Sequence, residues 1–197
     1  MSLIGRLQTL TGDSWTGIQF LDSAESYAGH TMSLCEAITL SFRQTVILSS
    51  SELSCAGARR SFGLNEDVDA MARKISDTTG MSIQKVLSIL SGRPRLEKPP
   101  AALLLGDIED SQIYVGYLKP ESAMNLLRLW QSRFGLDLEV SLSTFVAICS
   151  CVAGALRQQK LFFSLGCPNS RKEAKIPSDV LIAVLPADLA AILQNID

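Results

Sequence analysis

"CAGARR" at residues 55–60 and "CPNSRK" at residues 167–172 repeat one phrase: a cysteine, three residues, an arginine and a second base. Working outward from the pair exposes a longer repeat. Before the first copy lie "MSLCEAITLSF" (32–42), which reads as a helix with Leu34, Ile38 and Phe42 on one stripe, and "QTVILSS" (44–50), a β-branched strand. Before the second lie "STFVAICSCVAGALRQQ" (143–159), a helix, and "LFFSL" (161–165), a strand. Cys35 stands eight positions ahead of Arg43-Gln44, and Cys149 eight ahead of Arg157-Gln158. Ten residues then lead to Cys55 and eight to Cys167. A difference of two preserves strand parity, so both copies present the same face. Further upstream, "GIQFLDSAES" (17–26) loosely matches "VGYLKPESA" (115–123). The unit is strand, turn, cysteine-bearing helix, strand, then cysteine and basic pair.

This repeat predicts an α/β (mixed α+β) fold in one domain, residues 1–197. Two pseudo-symmetric strand–helix–strand half-units, about 16–63 and 112–173, would share a sheet. Packing about a pseudo-twofold axis would bring equivalent residues together. Between the halves, "NEDVDAMARKISDTTG" (65–80) and "SIQKVLSILSG" (82–92) read as two helices with Asn65 and Ser82 as N-caps. They form a helical insertion at about 65–98, closed by Pro99-Pro100. "AALLLGD" (101–107), "QIYVGYL" (112–118), "LDLEV" (136–140) and "DVLIAVL" (179–185) read as strands. "KPESAMNLLRLWQSRFG" (119–135) reads as a helix with Pro120 at its start and Gly135 past its end, and "PADLAAILQNI" as a closing helix.

Composition narrows the function. Hydrophobic residues make up 47% of the chain and charged ones 19%, which suits a folded domain with a real core. A net charge of −2 removes the electrostatic footprint of a nucleic-acid binder, and "RPRLEK" (93–98) is broken by a proline and a glutamate. The N-terminal "MSLIGRLQTLTG" has the spacing of an amphipathic helix rather than a signal peptide. The longest uncharged run, Val140 to Leu156, is short of the roughly 20 residues needed to span a bilayer. A cytoplasmic protein is expected, with reduced thiols and no membrane or nucleic-acid partner.

Five cysteines then become the candidates. A single cysteine is ordinarily inert packing. Cys151, two residues from Cys149 on a helix, points about 200° away from it and belongs to the core. Cys35, Cys55, Cys149 and Cys167 would converge at the pseudo-axis as ligands of a metal or an iron–sulfur cluster, with zinc as the alternative, giving the protein a redox, electron-transfer or cofactor-handling role and a redox partner. Their spacing lacks tight C-x₂-C pairs, so only the tertiary arrangement brings them together. Arg59, Arg60, Arg171 and Lys172 would offset the cluster's charge; the bland reading is a solvated, ion-paired face. Two other functions fit the same residues. The pocket would hold a small anionic molecule through Arg59 and Arg171, or Cys55 or Cys167 would be an activated thiol nucleophile. His30, the only histidine, reads as a surface loop residue. Asp22 and Asp107 end strands and suit turn or cap roles, while Trp15, Trp130 and Tyr117 suit the core. No P-loop, dinucleotide fingerprint, zinc-protease helix or serine nucleophile elbow occurs.

"CEAITLSF", "ELSCAGARRSFGL", "FVAICSCVAGA" and "FFSLGCPNSRK … DVLIAVLPADL" together resemble the family called domain of unknown function 169, soluble proteins of anaerobic bacteria and archaea. The resemblance runs from about residue 16 to the C-terminus. It implies the architecture and the cysteine set but no reaction, and the anaerobic hosts favour iron–sulfur over zinc. This chain departs from the pattern in three places. Gln19 stands where the family often has a lysine, Ser170 where it often has a further cysteine, and Cys151 is extra.

Overall fold

In β4 (Ile113–Leu118), Ile113, Val115 and Tyr117 face one side, Tyr114 and Leu118 the other, and all are buried. A strand apolar on both faces must be covered on both, and this one lies in the middle of a sheet with helices above and below. The computed structural model describes residues 1–24, 30–64, 67–134, 141–143 and 147–193. Among the described residues the sheet holds seven strands. With β4 they are β1 (Ser14–Leu21), β2 (Val46–Ser49), β3 (Ala102–Gly106), β5 (Ser141–Ser143), β6 (Phe162–Ser164) and β7 (Leu181–Pro186).

The order β2-β3-β1-β4-β7-β6-β5 reads the same way from both sides of the β1–β4 pair. In each half the first strand lies innermost, and the last inserts between it and the one before. Thus β3 lies between β1 and β2, and β7 between β4 and β6; β5 extends the second half by one strand. Pairing is antiparallel throughout except between β5 and β6. The mixed α/β architecture expected from the repeat is therefore what the chain adopts.

One face carries α2 (Leu34–Ser41), α3 (Ala56–Ser61), α7 (Ile148–Gln158) and α8 (Pro168–Glu173). Leu34, Ile38, Ala58 and Val152 from these helices join Ile18, Leu103, Val115 and Val184 of the sheet in the larger core. The opposite face carries α1 (Leu3–Thr11), α6 (Pro120–Phe134) and α9 (Ala187–Leu193). Trp15 and Trp130, 2% and 1% exposed, anchor the core there. On the first face the halves cross over. Helix α2 of the first half packs on α8 of the second, and α7 of the second packs on α3 of the first.

Local chemistry starts and stops these helices. Ser33 and Glu36 form a reciprocal capping box at α2. Gly12, with φ of 73°, ends α1 in the left-handed conformation that only glycine adopts without strain. The insertion is a helical hairpin of α4 (Val68–Thr79) and α5 (Ile83–Ser91). Ala72, Val86 and Leu90 give it a small core of its own. Ser82 caps α5 as expected, accepting from the Lys85 amide at 3.3 Å. Asp67 caps α4, its carboxylate accepting from the Ala70 amide at 2.9 Å; the expected cap, Asn65, lies outside the described residues. The strand expected over 136–140 and Gly135 also lie outside them. Helix α7 begins at Ile148 rather than Ser143, because Ser143 belongs to β5 and Ala147 is extended with ψ of 151°. Among the described residues no helix is long and apolar enough to cross a membrane.

Candidate functional site: a cavity lined by four cysteines

Cys35 and Cys149 are each the second residue of their helices, α2 and α7. Cys55 is the N-cap of α3, and Cys167 immediately precedes α8. Because α2 meets α8 and α3 meets α7, the crossover packs these helix starts together. All four cysteines line one cavity of about 420 Å³ on the α2/α3/α7/α8 face. Cys35 and Cys149 are 6% and 5% exposed, whereas Cys55 and Cys167 are half-buried.

The two short helices are matched in detail. In each, the amide of the arginine bonds the carbonyl of the cysteine, at 3.0 Å for both Arg59–Cys55 and Arg171–Cys167. Each arginine also donates from its guanidinium to the carbonyl two residues before its cysteine: Arg59 to Leu53 and Arg171 to Leu165. Both helices close with the same bond five residues back, Leu64 to Arg59 and Ile176 to Arg171. The residues between take left-handed backbone, Gly63 at φ 75° and Lys175 at φ 54°.

Cys55 and Cys149 touch. Their thiols hydrogen-bond one another, and that bond is the main reason the Cys55 pKa is lowered to about 6. Burial opposes it, while the amides of Ala58 and Gly57 at the start of α3 assist. Glu173 pushes the other way. The same bond, together with burial, raises the Cys149 thiol well above its ordinary value. Cys149 is therefore the donor and Cys55 the thiolate acceptor. Gly57 makes room for the contact: a β-carbon there would stand 3.3 Å from the Cys149 sulfur and 3.8 Å from that of Cys55. The Ser61 side chain also hydrogen-bonds Cys149 and works against that rise.

The bases of the repeat go elsewhere. Arg59 bonds the carbonyls of Ser50, at 3.1 Å, and Leu53. Arg60 reaches the Leu90 carbonyl and ties α3 to the insertion. Arg171 clamps the carbonyls of Leu165, Pro177 and Val180. Lys172 is exposed. None of the four lines the cavity; its cationic residues are Lys74 of α4 and Arg93, just beyond α5. Glu173 is there too, and Met71 and Ile75 of α4 form part of the wall. Sequence reading missed these residues. Met71, Lys74 and Ile75 do share the i, i+3, i+4 spacing of one helical face, but nothing linear says what that face meets.

Cys151 is fully buried, bonded to Ser164, and burial pushes its thiol up to about 12, in keeping with a core role. His30 is exposed. Asp22 pairs with Lys98 at 3.0 Å, and Asp107 accepts from the Ser2 hydroxyl at 3.4 Å. Among the described residues, no three histidine, cysteine, aspartate or glutamate side chains stand close enough to hold a metal ion.

The sequence matches the model of a family described as uncharacterised ArCR, domain of unknown function 169, over residues 14–195. The chain belongs to this family. No curated protein and no solved structure matches it. Within this domain of unknown function 169 fold, then, the paired thiols and their cavity are the features with chemistry to offer.

Proposed function

We propose that the protein is a thiol redox protein in which Cys55 is the nucleophile and Cys149 the resolving thiol, acting on a small sulfur compound admitted to the cavity. The observation that carries this reading is the contact between the two thiols, one half-buried at a helix start and one buried behind it. A helix start and a donated hydrogen bond both favour thiolate, and only the thiolate attacks. The Cys55 thiolate would attack one sulfur of a disulfide, forming a mixed disulfide and releasing the other sulfur as thiolate. Cys149, giving its proton to that leaving thiolate, would then attack the Cys55 sulfur. The second sulfur leaves as thiolate and takes from water the proton that Cys55 had released, so the products are a Cys55–Cys149 disulfide and two reduced thiols, and electrons and protons balance.

Reduced protein treated with bis(2-hydroxyethyl) disulfide is expected to lose two hydrogens and yield a peptide linking Cys55 to Cys149. The Cys149→Ser variant should instead trap the mixed disulfide on Cys55. Preferential labelling of Cys167, or no reaction, would refute the assignment.

A second reading is favoured by one observation, that Cys35 and Cys167 line the same cavity. Four thiols around one space are the ligand set of an iron–sulfur cluster. A single zinc ion fits poorly, since no three candidate ligands are gathered about one point among the described residues. A cluster would also need the Cys55–Cys149 contact to open, which ranks this reading second. Anaerobic reconstitution decides it: about four irons and four sulfides per chain, lost when all four cysteines become serine, would support the cluster, and a colourless, iron-free product would remove it.

A further inference from the structure

Cys35 and Cys167 stand in the cavity much as Cys149 and Cys55 do. Cys35 is the second residue of α2 as Cys149 is of α7, and both are buried. Cys167 sits directly ahead of α8 as Cys55 does ahead of α3, and both are half-buried. Helix α2 packs on α8 and α7 on α3, so the helix of each buried cysteine meets a helix that a half-buried cysteine opens. The Arg59 and Arg171 clamps fix the backbone ahead of Cys55 and Cys167 in the same way. The redox reading uses one of these two couples and leaves the other idle.

A buried cysteine is ordinarily inert packing. Cys35 differs because it lines the cavity beside a reactive pair and lies within electrostatic reach of Cys149. Among the described residues no three candidate ligands gather about one point, so the geometry suits exchange from sulfur to sulfur better than a joint hold on one ion. Exchange also has a favoured direction. A disulfide breaks fastest when the more acidic of its two thiols is expelled. In a Cys55–Cys149 disulfide that thiol is Cys55, so the sulfur to attack is that of Cys149, the one within reach of Cys35.

We propose that Cys35 and Cys167 are a second redox couple, which takes the disulfide over from Cys55 and Cys149 and readies the first couple for another molecule of substrate. This rests on the reading of Cys55 as the nucleophile. Cys35, as thiolate, attacks the Cys149 sulfur and expels the Cys55 thiolate. Cys167, as thiolate, then attacks the Cys35 sulfur and expels that of Cys149. Cys149 takes up one of the two protons released, and the other passes to water while Cys55 stays ionised. One sulfur–sulfur bond forms for each that breaks, so the transfer needs no outside oxidant. A second substrate disulfide then oxidises the first couple as before, and the fully oxidised chain has lost four hydrogens.

Excess bis(2-hydroxyethyl) disulfide, quenched with acid at intervals and followed by peptide mass spectrometry, tests it. The chain is expected to lose two hydrogens in a fast phase, with Cys55 linked to Cys149. Two more should go in a slower phase, with Cys35 linked to Cys167 as well. Cys149→Ser should hold the mixed disulfide on Cys55 and keep Cys35 and Cys167 reduced, because the transfer passes through the Cys149 sulfur. Cys167→Ser should link Cys35 to Cys149 and leave a mixed disulfide on Cys55. Oxidation of the parent protein that stops at the Cys55–Cys149 link would overturn the second couple and leave the nucleophile standing. A Cys35–Cys167 link formed as fast in Cys149→Ser would likewise overturn the transfer alone. A Cys149→Ser chain that gains no adduct on Cys55 would overturn the nucleophile, and the transfer with it.

Discussion

At Cys55 two influences of opposite sign meet on one sulfur: burial, which disfavours charge, and the Cys149 thiol, which donates to the charge once formed. The donor prevails, so about half the Cys55 side chains are thiolate near pH 6. A free cysteine, ionising near 8.5, has well under one per cent thiolate there. A thiolate of lower basicity is a weaker nucleophile, which takes back much of the gain. Alkylation of Cys55 by iodoacetamide at pH 6 should therefore run roughly tenfold faster than that of a free cysteine, with a rate midpoint near 6. Cys149→Ala should move that midpoint upward, and Cys149→Ser, which keeps a donor, should move it less. Stability carries the same signature. The folded chain releases this proton near pH 6 and an unfolded thiol at about 8.5, so stability rises with pH across that window and is lost as pH falls through 6. Urea titrations of Cys55→Ala should show a flatter rise. A slope unchanged by the substitution would mean that Cys55 is not ionised in the fold.

Among the elements, α3 and α8 are two copies of one device. A strand or turn delivers a cysteine, a short helix follows, and an arginine folds back to hold the carbonyl two residues before the cysteine. The basic phrase that drew attention in the sequence thus serves the backbone: its conserved spacing within the chain is that of a carbonyl clamp, not of a charge facing the thiols. The copies differ where they end. Gly63 takes φ of 75° at no steric penalty, while Lys175 takes φ of 54° against one. Lys175→Gly should accordingly stabilise the protein by about 0.5–1 kcal/mol. Gly63→Ala should destabilise it by more, since its β-carbon would also stand 3.1 Å from the Leu96 carbonyl oxygen. Equal and opposite effects at the two sites, read by chemical denaturation, are not expected.

Across the whole molecule, the β1–β4 pair is the seam where the halves join. Trp15 lies over Gly116 there, its indole nitrogen donating to the Thr11 hydroxyl at 2.9 Å. A β-carbon at position 116 would come within 2.6 Å of the ring. Gly116→Ala should cost at least about 1–3 kcal/mol of stability. The strain falls on the α1/α6/α9 face, opposite the cysteines, so residual folded protein should keep the Cys55 alkylation midpoint. A shifted midpoint would show that the two faces of the sheet are coupled.

Much of this was legible in the chain. The two cysteine phrases at matching offsets both lead into short helices, α3 and α8, and hydrophobic periodicity with glycine and serine boundaries located most helices and strands, because those signals are local. The four cysteines could be grouped as candidates because the repeat related them. Which of them touch could not be read. The contact of Cys55 with Cys149 depends on α3 of one half packing on α7 of the other, and crossover of that kind has no trace at short range. For the same reason the sequence pointed to Arg59, Arg60, Arg171 and Lys172 as the cavity's charges, whereas the fold puts Lys74 and Arg93 there. The chain by itself determined most of its helices and strands and the residue types available for chemistry, since backbone propensity and side-chain spacing act between neighbours. Only the tertiary structure decided which thiol is charged and what faces it, since acidity and recognition are set by atoms brought close from distant parts of the chain.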